Sequence, residues 1–201
     1  MELEERLLGL ERTLSTLSGH EGWVIGKCRF EFGTAEKESA QGTADRLYQL
    51  EILRENKNLA EIRIRGGYAG DCLAVTLMKP VESGGRRIRE KDLAAQLKKE
   101  QMNAADQTEN FLVTREETDR YLTASGDKNP IHQGENAIVP GFLMVNRIAG
   151  MLENPENLRV RFFTPLPVGE TAELMIRSRI GDGQNAEVYR NGERILKIET
   201  D

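Results

Sequence analysis

Apolar residues fall at every second position in four short runs between Trp23 and Pro80, and this alternation restricts the fold more than any other feature of the chain. In WVIGKCRFEF, Val24, Cys28, Phe30 and Phe32 share one side; in RLYQLEIL, Tyr48, Leu50 and Ile52 do the same. AEIRIRG offers Ala60, Ile62 and Ile64, and LAVTLMKP offers Leu73, Val75 and Leu77. A strand turns successive side chains to opposite faces, so each run predicts a strand with one buried face. Asn56, Lys57 and Asn58, between the second and third runs, have turn chemistry. Ahead of them Leu3, Leu7, Leu10, Leu14 and Leu17 recur in steps of four and three, the stripe of an amphipathic helix that Gly19 ends. Barely two heptads long, the stripe suits a buried helix face better than a coiled coil.

After VESGGRR the pattern turns helical over KDLAAQLKKEQMN, and the polar NAADQTEN marks an internal boundary near residue 107. A short strand, Phe111 to Val113, then feeds a helix that starts at Thr114, where Thr114 and Glu117 stand in capping-box spacing. A further helix has Pro140 in its first turn and Phe142, Val145, Ala149 and Leu152 along one stripe. LRVRFF, TAELMIRSRI, AEVYR and RILKIE close the chain as strands, and Asn191-Gly192 between the last two signals a type I′ hairpin. Both halves thus read as one apolar helix followed by four antiparallel-type strands, although no residue-level repeat accompanies the shared order. The expected class is α+β, a strand-wrapped helix formed twice.

Composition narrows the function classes. A chain of 201 residues can bury a real core, and 38% apolar with 30% charged residues describes a soluble protein. Its 28 bases and 33 acids leave a net charge of −5, which argues against general nucleic-acid binding but not against a phosphorylated ligand held by local arginines. The N-terminal segment is too charged for a signal-peptide core and no stretch reaches transmembrane length, so the cytoplasm is the expected location. Cys28 and Cys72 are expected as reduced thiols. With only His20 and His132 beside them, and no CxxC or HxxxH spacing, no metal site is expected.

The chemistry concentrates in SGDKNPIHQGENAIVPG, residues 125 to 141. Asp127 and Asn129 suit turn positions and can bond local amides, Pro130 stiffens the chain, and Ile131 can anchor it in the core. A rigid loop of this kind could aim Asp127 and His132 into one pocket. Downstream, a helix start at Pro140-Gly141 leaves the Gly141 N–H free to stabilise negative charge on a carbonyl oxygen. An acid, a histidine and an oxyanion site suit proton transfer beside a thioester carbonyl. The blander reading also stands: GDKNP is a good turn sequence, and many loop histidines do no chemistry.

Tyr121 to His132, YLTASGDKNPIH, resembles the SGDxNPxH signature of the MaoC-like (R)-specific enoyl-CoA hydratases. VPGFLMVNRIAGML resembles that family's central helix, and LRVRFFTPLPVGETAELMI resembles the strand, loop and strand after it, so the likeness spans about residues 110 to 180. It implies the hotdog fold, an antiparallel sheet around a long helix. It implies Asp127 and His132 as the catalytic pair activating one water, Ser125 and Asn129 as loop support, and Gly141 as the residue whose N–H receives the thioester oxygen. The implied reaction is reversible hydration of a trans-2-enoyl thioester to an (R)-3-hydroxyacyl thioester, without nucleotide cofactor or metal. Pro140 stands where many of these hydratases have histidine, and Pro-Gly is similar to the helix start of acyl-carrier-protein dehydratases. CoA and carrier-protein thioesters both remain candidate substrates, with an acyl carrier protein as a candidate partner.

Residues 1–107 lack the motif and are expected to form a degenerate hotdog-like copy, with 108–201 as the catalytic half. The chain would then be a pseudo-dimer, with a homodimer as the alternative. A non-catalytic hotdog that binds an acyl thioester or a partner, and a thioesterase, are the rival readings. His20 is expected to be structural or on the surface. Phe142, Leu143, Phe162 and Phe163 could line an acyl tunnel or fill core, and Arg147, Arg159 and Arg161 could meet CoA phosphates or simply be solvated.

Overall fold

All of the period-two runs form strands, and they join one nine-stranded sheet. The computed structural model describes residues 3–33, 48–67, 70–80, 106–153, 155–178 and 183–200. Its strands are β1 (Val24–Glu31), β2 (Gln49–Asn56), β3 (Leu59–Gly66), β4 (Asp71–Met78), β5 (Gln107–Leu112), β6 (Asn157–Phe162), β7 (Thr171–Ser178), β8 (Gln184–Arg190) and β9 (Glu193–Thr200). Among the described residues three α-helices accompany them: α1 (Leu3–Leu14), α2 (Arg115–Ser125) and α3 (Gly141–Ala149). The helix expected over 91–103 lies outside the described residues.

Across the sheet the order is β2-β3-β4-β1-β6-β9-β8-β7-β5, antiparallel throughout. After α1, strand β1 pairs with β4, β4 with β3 and β3 with β2; after α3, β6 pairs with β9, β9 with β8 and β8 with β7. The two connection orders are the same. They meet where β1 pairs with β6, with Arg29 opposite Arg159.

Alternation decides what is buried. Ala60, Ile62 and Ile64 of β3, and Leu73, Val75 and Leu77 of β4, face the core as their period requires. One buried cluster joins them to Leu7 and Leu10 of α1 and to Phe142, Val145 and Ile148 of α3. The Phe30 ring of β1 meets the Phe142 ring edge-on at 5.4 Å, an aromatic contact worth about 1 kcal/mol beyond its buried area. Helix α3 is apolar on nearly all sides, as a helix enclosed by protein must be. Below the leucine stripe Arg6 ion-pairs with the fully buried Asp71, which also accepts from Tyr48 Oη (3.1 Å) and Gly33 N (3.2 Å), locking α1 to β4.

Turns and caps follow the residues that specify them. The Thr114 side chain accepts from Glu117 N, and Glu117 returns a bond to Thr114 N, closing the capping box. Asn56 Oδ1 accepts from the backbone of Asn58 and Leu59 in the β2–β3 turn. Asn191 and Gly192 both take positive φ, 51° and 82°, as a type I′ hairpin requires.

Four expectations need correction. Helix α1 ends at Leu14 rather than running on to Leu17. Ile52 is 44% exposed although it pairs with the buried Ile62, because β2 is the outermost strand on this side of the sheet. Residues 107–110 are not a polar break: β5 begins at Gln107, an outer strand held to β7 by its backbone with mostly exposed side chains. Pro140 caps α3 from outside instead of lying in its first turn.

Candidate active site

The loop between α2 and α3 is held from three directions. Helix α2 stops at Gly126, whose φ of 70° is open to glycine and costly to most other residues, and the Gly126 N–H bonds Leu122 O at 2.9 Å. Asp127 N–H donates to Ser125 Oγ (3.3 Å), and Asp127 Oδ1 accepts from Asn129 N (2.8 Å), an Asx turn. Asn129 reaches across to the first half of the chain: its Oδ1 accepts from Gly22 N and its Nδ2 donates to Trp23 O, both at 2.9 Å. Pro130 to His132 form a single 3₁₀ turn that Asn129 caps. The expected anchor, Ile131, is only half-buried and lines the cavity; the long-range tie is made by Asn129.

This scaffold brings Asp127 and His132 together. Asp127 Oδ2 lies 3.4 Å from His132 Nε2, and the imidazole is 6% exposed. His132 Nδ1 lies 2.8 Å from Ile138 O, a bond only an N–H can make to a carbonyl, so Nδ1 carries the proton. Burial holds the His132 pKa below the ordinary histidine value, against the opposing pull of the Ile138 carbonyl and the Asp127 carboxylate. The neutral ring therefore presents Nε2 as an acceptor toward the carboxylate, the geometry in which one donor can serve both.

Both side chains line a cavity of about 380 Å³. Gly141, first residue of α3, opens onto the same space together with Pro140, Phe162 and Phe163. A Cβ at Gly141 would lie 2.9 Å from the Phe162 ring, so glycine is what lets that ring approach the helix start. Ser125 sits beneath the loop, buried, and touches it through Asp127 N.

The remaining candidates divide. Phe142, Phe162 and Phe163 border the cavity, whereas Leu143 is buried outside its lining. Arg147 stacks its guanidinium 4.7 Å over the Phe111 ring and donates to Leu112 O, which fixes it in the fold. Arg159 and Arg161 lie on β6 opposite Arg29 and Lys27, at the seam of the sheet. His20 is buried rather than on the surface: it lines the cavity, with its ring edge-on to Trp23 at 4.7 Å and Nε2 3.1 Å from Glu55 Oε1. Cys28 and Cys72 are free thiols. Among the described residues no group of three His, Cys, Asp or Glu side chains gathers to hold a metal, and no helix is long and apolar enough to cross a membrane.

Two groups escaped sequence reasoning. The segment Ser15 to Ile25 forms much of the cavity wall, and Glu11 on α1 borders the same space while only 4% exposed. Glu11 did leave a signal: it stands four residues after Leu7 and three before Leu14, a carboxyl on the apolar stripe.

An antiparallel sheet holding an apolar central helix, with a polar loop over that helix's N-terminus, is the hotdog fold. Neither a protein-family model nor a curated protein sequence matches the chain. Solved structures do. HtdX from Mycobacterium tuberculosis is similar over 98% of this chain and 84% of its own, at 14% identity and a TM-score of 0.63. A MaoC-like dehydratase from Phytophthora capsici is similar over 92% and 73%, at 13% identity and a TM-score of 0.55. An acyl-CoA thioesterase II from Mycobacterium marinum is similar over 96% and 85%, at 10% identity and a TM-score of 0.52. At these identities the likeness establishes the fold, which proteins named for different chemistries share.

Proposed function

We propose that the chain is a MaoC-type hydratase that adds water reversibly across a trans-2-enoyl thioester to give an (R)-3-hydroxyacyl thioester. The observation that carries this reading is the 3.4 Å approach of Asp127 Oδ2 to His132 Nε2 in a cavity that also contains the start of α3. We further propose a double hotdog, with residues 1–107 a degenerate copy and 108–201 the catalytic half. The matching connection orders on either side of the β1–β6 seam support it.

In this mechanism one water donates to both Asp127 Oδ2 and His132 Nε2. The pair removes a proton from the water as its oxygen bonds to C3, and the C2–C3 π electrons move toward the thioester carbonyl. The Gly141 N–H, with the N-terminal end of α3 behind it, stabilises the negative oxygen. The pair then returns a proton to C2 on the same face, so the site ends in its starting charge state. Asn129 and Ser125 hold the loop, and neither metal nor nucleotide has a step to perform. The thioester arrives on CoA or an acyl carrier protein.

Binding of an acyl thioester without turnover is the second reading, favoured by the Phe162 ring crowding Gly141. One assay separates the two. The wild-type protein is expected to hydrate crotonyl-, hexenoyl- or dodecenoyl-CoA to the (R)-alcohol, and Asp127→Asn or His132→Ala to lose roughly 10²–10⁴-fold in kcat with the fold intact. Wild-type rates in both variants would defeat the assignment. Binding with no turnover would favour the second reading, and release of free CoA would point to a thioesterase.

A further inference from the structure

The catalytic pair and its loop all come from the second half of the chain, yet a buried acid from the first half stands beside them. Glu11 is on α1, borders the cavity, and is 4% exposed. Its Oε2 accepts a hydrogen bond from the Tyr121 hydroxyl of α2. The next residue, Arg12, donates from Nε to Ala124 O at 2.7 Å. Both contacts grip the last turn of α2, and that helix ends only two residues before Asp127. Whatever fixes Tyr121 and Ala124 therefore fixes the start of the loop that carries Asp127.

We infer that Glu11 is a positioning residue of this site: bonded to Tyr121, it sets where the α2 end, and hence Asp127, stands. The inference rests on the hydratase reading above. Its charge state follows from its surroundings. Burial raises the Glu11 pKa to about 8, the Tyr121 hydrogen bond opposes that rise, and the Asp127 charge adds to it. The other titratable groups around the same cavity are His132 and Lys128 on the loop, and His20 and Glu21 on the segment after α1. Burial, the largest of these effects, is what keeps the proton on Glu11. Glu11 thus stays neutral at neutral pH. Above about pH 8 Glu11 ionises, a second negative charge appears beside Asp127, and the arrangement that serves the reaction is lost.

The test uses full-length Glu11→Ala, Glu11→Gln and Tyr121→Phe in enoyl-CoA hydration, with kcat and KM followed from about pH 6 to about pH 9.5. Glu11→Ala is expected to lower kcat about tenfold with KM within about twofold, since misplacement of a reacting group acts on the chemical step. Glu11→Gln is expected to recover kcat to within about threefold of wild type and to lack the wild-type fall above about pH 8. Tyr121→Phe should move that fall to higher pH, because the bond it removes favours ionised Glu11. The last two variants nearly conserve volume and carry the test where Glu11→Ala fails to fold. An alkaline limb shared unchanged by wild type and Glu11→Gln, or wild-type kcat in Glu11→Ala, overturns the inference and leaves the hydratase reading standing. A wild-type protein that turns over no enoyl thioester overturns both.

Discussion

Replacing Glu11 by glutamine should make the protein less sensitive to alkali. In the unfolded chain a glutamate titrates near its ordinary value, about 4.3–4.5, whereas in the folded protein burial holds the Glu11 pKa at about 8. Between those values the folded state keeps a proton that the unfolded state has released. Stability therefore falls as pH rises through the window, and levels off above about pH 8. Each unit of difference corresponds to about 1.4 kcal/mol, so wild type should lose about 3–4 kcal/mol between pH 5 and pH 8 from this group alone. Glutamine does not titrate and keeps an oxygen for the Tyr121 hydroxyl. Its buried NH₂ needs a partner, at a cost of about 1–3 kcal/mol, but that cost is the same at every pH. The pH-dependent difference isolates the carboxyl. Urea unfolding of both proteins at the two pH values gives it directly, and every other titrating group cancels between them. In melting temperature the differential is roughly 6–16 °C for a chain of this size. Parallel stability–pH curves would refute the reasoning, and with it the claim that Glu11 is protonated in the folded protein.

Other perturbations probe the loop and the helix start. Asn129→Ala removes the bonds to Gly22 N and Trp23 O, and should cost about 2 kcal/mol in urea unfolding while lowering kcat; unchanged stability and rate would show that the loop is held elsewhere. Gly141→Ala brings a methyl to 2.9 Å from the Phe162 ring, and should destabilise by about 1–3 kcal/mol. Phe162→Leu should relieve part of that cost in a double-mutant cycle, and strictly additive effects would deny the contact.

What could be read from sequence was what local physics writes into sequence. The strands with one buried face announced themselves because burial imposes a period of two, and the Thr114–Glu117 box and Asn191-Gly192 turn because their backbone needs those residues. Strand β5 left no such trace over 107–110: its residues are held by backbone bonds to β7, and exposed edge positions accept polar side chains. The exposure of Ile52 likewise follows from the outer place of β2 in the sheet, which β2 alone does not show. At the site, the loop motif showed which residues could do chemistry and not what holds them. Asn129 is 107 residues from Gly22, and Glu11 is 110 from Tyr121; contacts at such separations have no local signature. Glu11 is the instructive case. A carboxyl on an apolar stripe was legible as an anomaly, but only the fold gives it Tyr121 and Asp127 as neighbours.

The first half of the chain therefore does more than cover a surface, and this can be tested by removing it. Strand β6 bonds β1 on one side and β9 on the other, so a fragment of residues 108–201 would leave β6 with a free edge of unpaired backbone groups. The same cut deletes Gly22 and Trp23, which bind Asn129; Phe30, whose ring meets Phe142; and Ile25, whose methyl would lie 3.6 Å from a Cβ at Gly141. It also deletes Glu11, leaving the Tyr121 hydroxyl without its buried acceptor. Every residue of the proposed catalytic pair and oxyanion site survives in the fragment, but the groups that aim them do not. The fragment should self-associate through the β6 edge or fail to fold, and should hydrate no enoyl thioester as a monomer. Sedimentation and a hydration assay decide the matter. A monomeric fragment with wild-type kcat would show that Asp127 and His132 are placed by their own half of the chain.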